Sequence, residues 1–166
     1  MPFEILGVSP EMGHFIEIDE YVPLTVQWSG YSRLQEAPRS VVLGAGASLV
    51  EVKTDRESGE VVELILVDLG QPENVDASLS ASAPAFIDSG VPRVSFKESS
   101  QDRSAGGVGL YVDGLRLRLG EGPTARVVGS PDAAFGFSEP GHLVEFDLRL
   151  RPDRMAQLRA VTRARH

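Results

Sequence analysis

Glu63 is the side chain of this sequence whose surroundings best suit acid–base chemistry. It stands in the run EVVELILVD (60–68), where apolar residues occupy both alternating faces, a pattern typical of a strand covered on two sides. A carboxyl group placed among apolar side chains is a candidate general acid or base. The same position also suits a structural ion pair with an arginine such as Arg116 or Arg126, or a place at the sheet edge.

Two histidines are weaker catalytic candidates. His14 stands beside Phe15 and His142 directly follows a turn, so each is a candidate to partner a carboxylate or a satisfied residue at the rim of the fold. His166 is the third histidine, and the chain has no cysteine. This scarcity of ligands predicts no metal site and no disulfide. Phosphate-loop and dinucleotide fingerprints do not occur either, so no cofactor is predicted.

Aromatic and acidic residues supply the candidates for a binding surface. Trp28 and Tyr31, and Tyr111 in the second half, suit a ligand pocket or an interface, and core packing is the alternative for Trp28. Glu145 and Asp147 lie on the polar face of the last predicted strand. With Glu63, these residues form the predicted binding set.

The net charge of −8 is unevenly distributed along the chain. Residues 149–166 hold six arginines and one acid, a charge of +5, so residues 1–148 carry −13. We expect residues 1–148 to repel nucleic acid and anionic membranes and to attract a basic protein. The alternative is that the negative charge only keeps the protein soluble. The first residues lack a signal peptide and no apolar run is long enough for a membrane span, which predicts a cytoplasmic protein.

Short alternating apolar runs separated by Gly, Pro, Asp and Ser predict a mainly antiparallel β fold. The predicted strands span residues 3–6, 14–19, 24–28, 40–43, 49–53, 60–68, 93–97, 109–112, 115–119, 125–128, 134–137 and 142–150. Turns around Gly59 and Gly141 predict two long hairpins. We expect a sandwich or a flattened barrel.

The chain is predicted to form one compact domain from two related halves, residues 1–68 and 108–150. Residues 69–107 have the Ser, Ala, Pro and Gly content of a linker or long loop. Residues 151–166 predict the single helix, with Pro152 suited to its first turn. This helix either caps the sheet with solvated arginines or contacts an acidic surface or nucleic acid.

An internal duplication is predicted from the stretches RLQEAP (33–38) and RLGEGP (118–123). At the same separation of 85 residues Val42 matches Val127, and at 82 residues Gly59 matches Gly141 and Glu63 matches Glu145. Neither half alone would cover both faces of its sheet, so we expect the two halves to pack face to face.

The second half, GLYVDGLRLRLGEGPTARVVGSPDAAFGFSEPGHLVEFDLRL, resembles the small bacterial family DUF2283 over about residues 109–150. A weaker copy of the same pattern covers about residues 26–68. The usual start of that family is missing here, and the family offers no catalytic residues to carry over. Some members look like partners of small toxins, so the resemblance implies an antitoxin-like or immunity role.

Three functions remain open at this stage. The first is a non-enzymatic binding protein that engages a basic protein partner through an acidic surface. The second is a small β-barrel enzyme or carrier, cyclase-like, that holds an apolar ligand with Glu63 or a histidine as acid or base. The third is a self-associating β domain, with a possible homodimer, that uses open sheet edges. The lack of catalytic motifs favours a protein that is not an enzyme.

Overall fold

The computed structural model describes residues 3–45, 47–82, 84, 86–97 and 106–164. In these residues the fold is mainly antiparallel β with one helix, α1 (Pro152–Ala164), as the sequence predicts. The sheets are open and do not close on themselves, so of the two predicted architectures the structure forms the sandwich. No helix in this part of the chain has the length and apolar character that a membrane span requires.

In the described part of the chain fourteen strands make up the sheets, and they include all twelve that the alternation pattern predicts. In chain order they are β1 (Phe3–Ser9), β2 (His14–Glu17), β3 (Leu24–Trp28), β4 (Arg39–Ala45), β5 (Ser48–Thr54), β6 (Val61–Asp68), β7 (Glu73–Asn74), β8 (Asp88–Ser89), β9 (Val91–Phe96), β10 (Val108–Leu110), β11 (Gly114–Arg118), β12 (Arg126–Gly129), β13 (Ala133–Phe137) and β14 (Leu143–Arg149).

Both predicted hairpins are present. β5 pairs with β6 and β13 pairs with β14, each antiparallel. Gly59 and Gly141 stand in the two turns with φ of +79° and +94°, a backbone region that glycine adopts at little cost. The local turn chemistry therefore determined these pairings.

The two large sheets repeat one strand order. The first sheet runs β2-β3-β6-β5-β4, and the second contains β10-β11-β14-β13-β12 with β7 and β8 added in parallel at its two edges. The register is also repeated, because Val42 faces Glu51 and Val127 faces Gly136, two pairs separated by 85 residues. The stretches 33–38 and 118–123 occupy corresponding connections, between β3 and β4 and between β11 and β12.

The ribbon of β1 and β9 joins the two hairpin turns. Ile5 and Val94 face each other in this ribbon. The Ile5 amide donates to the Gly141 carbonyl at 2.9 Å, and the Val94 amide donates to the Gly59 carbonyl at the same distance. The facing residues Ile5 and Val94 thus link both hairpin turns to the ribbon through backbone hydrogen bonds.

The core lies between the inner faces of the two sheets. Trp28 from the first sheet contacts Phe135 from the second, with ring centroids 5.4 Å apart, and Phe135 contacts Phe146 at 4.7 Å. All three side chains are buried, and close apolar packing of this kind supplies the main stabilisation of the fold. Trp28 therefore takes the core role that was the alternative to a binding role.

Helix α1 covers an edge of the first sheet. Its Met155 and Leu158 enter the core, and its Arg154 and Gln157 side chains donate to the carbonyls of Ile16 and Ile18 beside β2. These contacts match the capping role that the sequence allowed. The segment 69–107 is packed where it is described, since it supplies β7, β8, β9 and the buried Leu79.

Candidate functional site

Glu63 lies on the outer face of the first sheet and is only 5% exposed. Its Oε2 accepts a 2.6 Å hydrogen bond from Gln27 Nε2 on β3, and its Oε1 lies 3.1 Å from Lys53 Nζ on β5. Burial lowers the pKa of Lys53, but the hydrogen bond and charge of Glu63 outweigh this effect and raise it. Lys53 and Glu63 therefore form an ion pair across β5 and β6.

The arginine partner predicted for Glu63 is wrong. Arg116 and Arg126 lie on the second sheet, where they pair with Asp147 and Asp88. Cross-strand register explains the difference, because β5 places Lys53 directly opposite Glu63.

The second sheet carries a related charged cluster on its outer face. Glu145 accepts from Arg118 Nη1 at 2.7 Å and lies 3.1 Å from Arg116 Nε. Arg116 also forms a bidentate pair with Asp147, both bonds at 2.8 Å. The hydrogen bonding that Arg116 donates to the Asp147 carboxylate is the main reason that the pKa of Arg116 is raised.

A trough opens beside this cluster, next to Gly136 on β13. Gly136 faces Glu145 as Lys53 faces Glu63, so the second sheet has no side chain there. The trough has a volume of about 540 Å³. A Cβ on Gly136 would lie 2.8 Å from Thr124 Oγ1, which is buried and has no hydrogen-bond partner in the described part of the chain. Backbone register therefore creates a polar hollow in the outer surface.

The structure brings three of the six predicted binding residues together. Glu145 and Asp147 line the trough. The Arg116 guanidinium carbon Cζ lies over the Tyr111 ring, 5.6 Å from the centroid of that ring. The other three belong to the first sheet: Trp28 in the core, Glu63 in its ion pair and Tyr31 half-buried in the 3-10 turn Ser29–Arg33.

The two described histidines have different surroundings. A 2.7 Å hydrogen bond joins His14 Nδ1 to Glu11 Oε1, so His14 does partner a carboxylate. His142 pairs through its backbone with Glu4 at the end of β1, and its amide donates to Ser138 Oγ. His166 lies outside the described residues. Within those residues no group of three His, Asp or Glu side chains is arranged to hold a metal ion.

Uncompensated carboxylates concentrate on the first half of the chain. Residues 1–68 hold twelve Asp or Glu and four Lys or Arg, a net charge of −8. Within the described residues, the following acids of that half form no ion pair with a Lys or Arg: Glu17, Asp19, Glu36, Glu51, Asp55, Glu57 and Asp68. The outer-face acids of the second sheet, by contrast, are neutralised by Arg116 and Arg118.

Sequence reasoning missed Gly136, Thr124 and Asp88, which shape the trough. A glycine inside a strand indicates a close approach of another group to the backbone, so AFGF (134–137) carried a usable signal for Gly136. The contribution of Asp88 depends on the parallel pairing of β8 with β12, which no local pattern indicates.

No protein-family model matches this chain, and no curated protein does. The resemblance to DUF2283 therefore stays a prediction.

Proposed function

We propose that this chain is a non-enzymatic binding protein, antitoxin-like or immunity-like, that engages a basic protein through the first half of its surface. The observation that carries the proposal is the charge of −8 on residues 1–68. In this half the side chains of Glu17, Asp19, Glu36, Glu57 and Asp68 are exposed and form no ion pair with a Lys or Arg of the described residues. An acidic surface of this kind raises the association rate with a basic protein and selects against acidic ones.

The outer face of the first sheet also offers apolar contact area. Phe15 on β2, Val42 on β4 and Leu49 on β5 are exposed, and Glu51 lies between β4 and β6 on the same face. Protein interfaces combine such apolar side chains with a charged rim. On this face Glu63 forms an ion pair with Lys53, which is a structural role. It therefore does not support the alternative that the protein is an enzyme.

Paired positions in the two halves allow a matched experiment. Glu36 and Glu57 stand 85 and 82 residues before Glu121 and Glu139, and all four side chains are exposed. The variants Glu36→Gln/Glu57→Gln and Glu121→Gln/Glu139→Gln change the net charge equally. We would immobilise each variant and the wild type, capture proteins from a lysate of the source cells, and measure the affinity of the purified partner at several salt concentrations.

The expected partner is a basic protein whose affinity falls with added salt and is reduced more by the first variant than by the second. Equal losses in the two variants would mean that net charge alone acts, without a defined surface. Capture of only neutral or acidic proteins would contradict the proposal.

Self-association is a second candidate, favoured by strand β4. This seven-residue strand ends the first sheet, and in the described part of the chain no further strand pairs with it. Val42 on β4 is 59% exposed. Edge strands of this length pair readily with another copy. Sedimentation equilibrium would then show a dimer that Val42→Lys converts to a monomer; a wild-type monomer at high concentration would contradict this candidate.

A further inference from the structure

Three of the chain's arginines line one cleft where the last strand leads into helix α1. The cleft has a volume of about 590 Å³ and is bordered by β2, the end of β14 and the first turn of α1. Arg149, Arg151 and Arg154 provide its positive charge. These arginines belong to the basic end of the chain, whereas residues 1–148 carry a net charge of −13.

The three guanidinium groups are incompletely compensated. Arg151 pairs with Asp153 at 3.1 Å in an exposed position. Arg154 donates only to neutral groups, the Ile16 carbonyl and the Gln157 side chain. Arg149 is half-buried, and its side chain has no ion pair or hydrogen bond with any described residue. A partly desolvated guanidinium without an anion raises the free energy of the folded protein, so binding of an anionic ligand in the cleft would be favourable.

Two acids also border the cleft, and both of them oppose an anion. Both oxygens of Asp113 accept hydrogen bonds from the neighbouring segment, from the Ser78 and Ser80 hydroxyls and the Leu79 amide. Asp132 is exposed and forms no ion pair with a Lys or Arg of the described residues. Both carboxylates therefore reduce the affinity for an anion, but the three arginines of the lining outnumber the two acids.

The remaining lining is partly apolar. Phe15, Ile16 and Leu150 border the cleft, and the Phe15 ring is exposed. Such a surface suits the carbon skeleton of a ligand whose charged group contacts the arginines.

We propose that this cleft binds a phosphate-bearing small molecule, with the phosphate at Arg149 and Arg154 and the apolar part against Phe15 and Leu150. Guanidinium groups match the geometry of phosphate oxygens and form strong charge-assisted hydrogen bonds with them. The ligand site shares Phe15 with the outer face of the first sheet, but its arginines take no part in the proposed function, so either activity can exist without the other.

Titration with inorganic phosphate at low ionic strength tests the site, with the arginine Nε–Hε resonances as the NMR readout. We expect saturable binding in the wild type. Arg149→Gln should weaken the affinity by at least about tenfold, the loss of about 1.4 kcal/mol. Asp132→Asn should tighten it, because a repelling charge is removed. Arg33→Gln, which changes the net charge equally in the 3-10 turn Ser29–Arg33, is the control and should leave the affinity unchanged.

Three results would overturn the proposal. They are an affinity in Arg149→Gln equal to that of the wild type, an equal loss in Arg33→Gln, and an affinity in Asp132→Asn that does not increase. Asp132→Asn retains all three arginines, so its phosphate affinity tests the proposal even if Arg149→Gln does not fold.

Discussion

Removing the positive charge of Lys53 tests the compensated pair on the first sheet. In Lys53→Met, Glu63 stays buried without its cationic partner, and the Gln27 amide still donates to it. Breaking a buried ion pair costs about 3–5 kcal/mol, and the 22% exposure of the lysine side chain reduces this to about 2–3 kcal/mol of the free energy of unfolding. A second substitution, Glu63→Gln, removes the carboxylate that Lys53→Met leaves without a cationic partner. The new amide oxygen at position 63 can still accept the hydrogen bond from Gln27. The double variant should therefore lie within about 1 kcal/mol of the wild type.

Urea unfolding provides the assay, because the chain has a single tryptophan, Trp28, buried against Phe135 and Phe146. Arg118→Met on the second sheet is the control. Its side chain is 36% exposed and Glu145 keeps Arg116, so we expect a loss of about 1 kcal/mol or less. A double variant as unstable as Lys53→Met would refute the reasoning, since the loss would then come from the packing of the lysine chain and not from the carboxylate left without a cationic partner.

Two further predictions follow from the turns. Gly59→Ala should cost more than Gly141→Ala, about 2 kcal/mol or more against about 1 kcal/mol by urea unfolding, and equal losses would contradict this. Both need a positive φ, but a Cβ on Gly59 would clash with the Val94 carbonyl, whereas one on Gly141 meets only a methyl group of Ile5 at 3.3 Å. Burial opposes ionisation of Asp113, yet the hydrogen bonds it accepts lower its pKa to about 2. A lowered carboxyl pKa stabilises the fold above about pH 4, and this contribution disappears as the pH falls toward 2. Asp113→Asn should thus be about 1 kcal/mol less stable at pH 7, given solvent screening, and equal to the wild type near pH 2; a gap that persists at pH 2 would contradict this assignment.

The candidate site was only partly predictable, and Glu63 and Glu145 illustrate why. Their matched positions in the sequence were visible, as was the polar face of β14. Their partners were not, because Gln27 and Arg118 come from another strand of each sheet. A side chain's cross-strand neighbour depends on register, and a shift of one residue would replace every neighbour. The same holds for the trough, because register places Gly136, which has no side chain, opposite Glu145, whereas Lys53 lies opposite Glu63.

The sequence by itself determined the strands, the two hairpins, the start of the helix and the distribution of charge. These features depend on local properties: alternation of apolar side chains, the positive φ that glycine allows at positions 59 and 141, and the suitability of Pro152 for a first helical turn. Only the tertiary structure decided that Trp28 packs in the core, that Glu63 pairs with Lys53, and that Arg149 and Arg154 share a cleft with Phe15. Such contacts join residues that are distant in the chain, and their formation depends on strand register and on the packing of one sheet against the other.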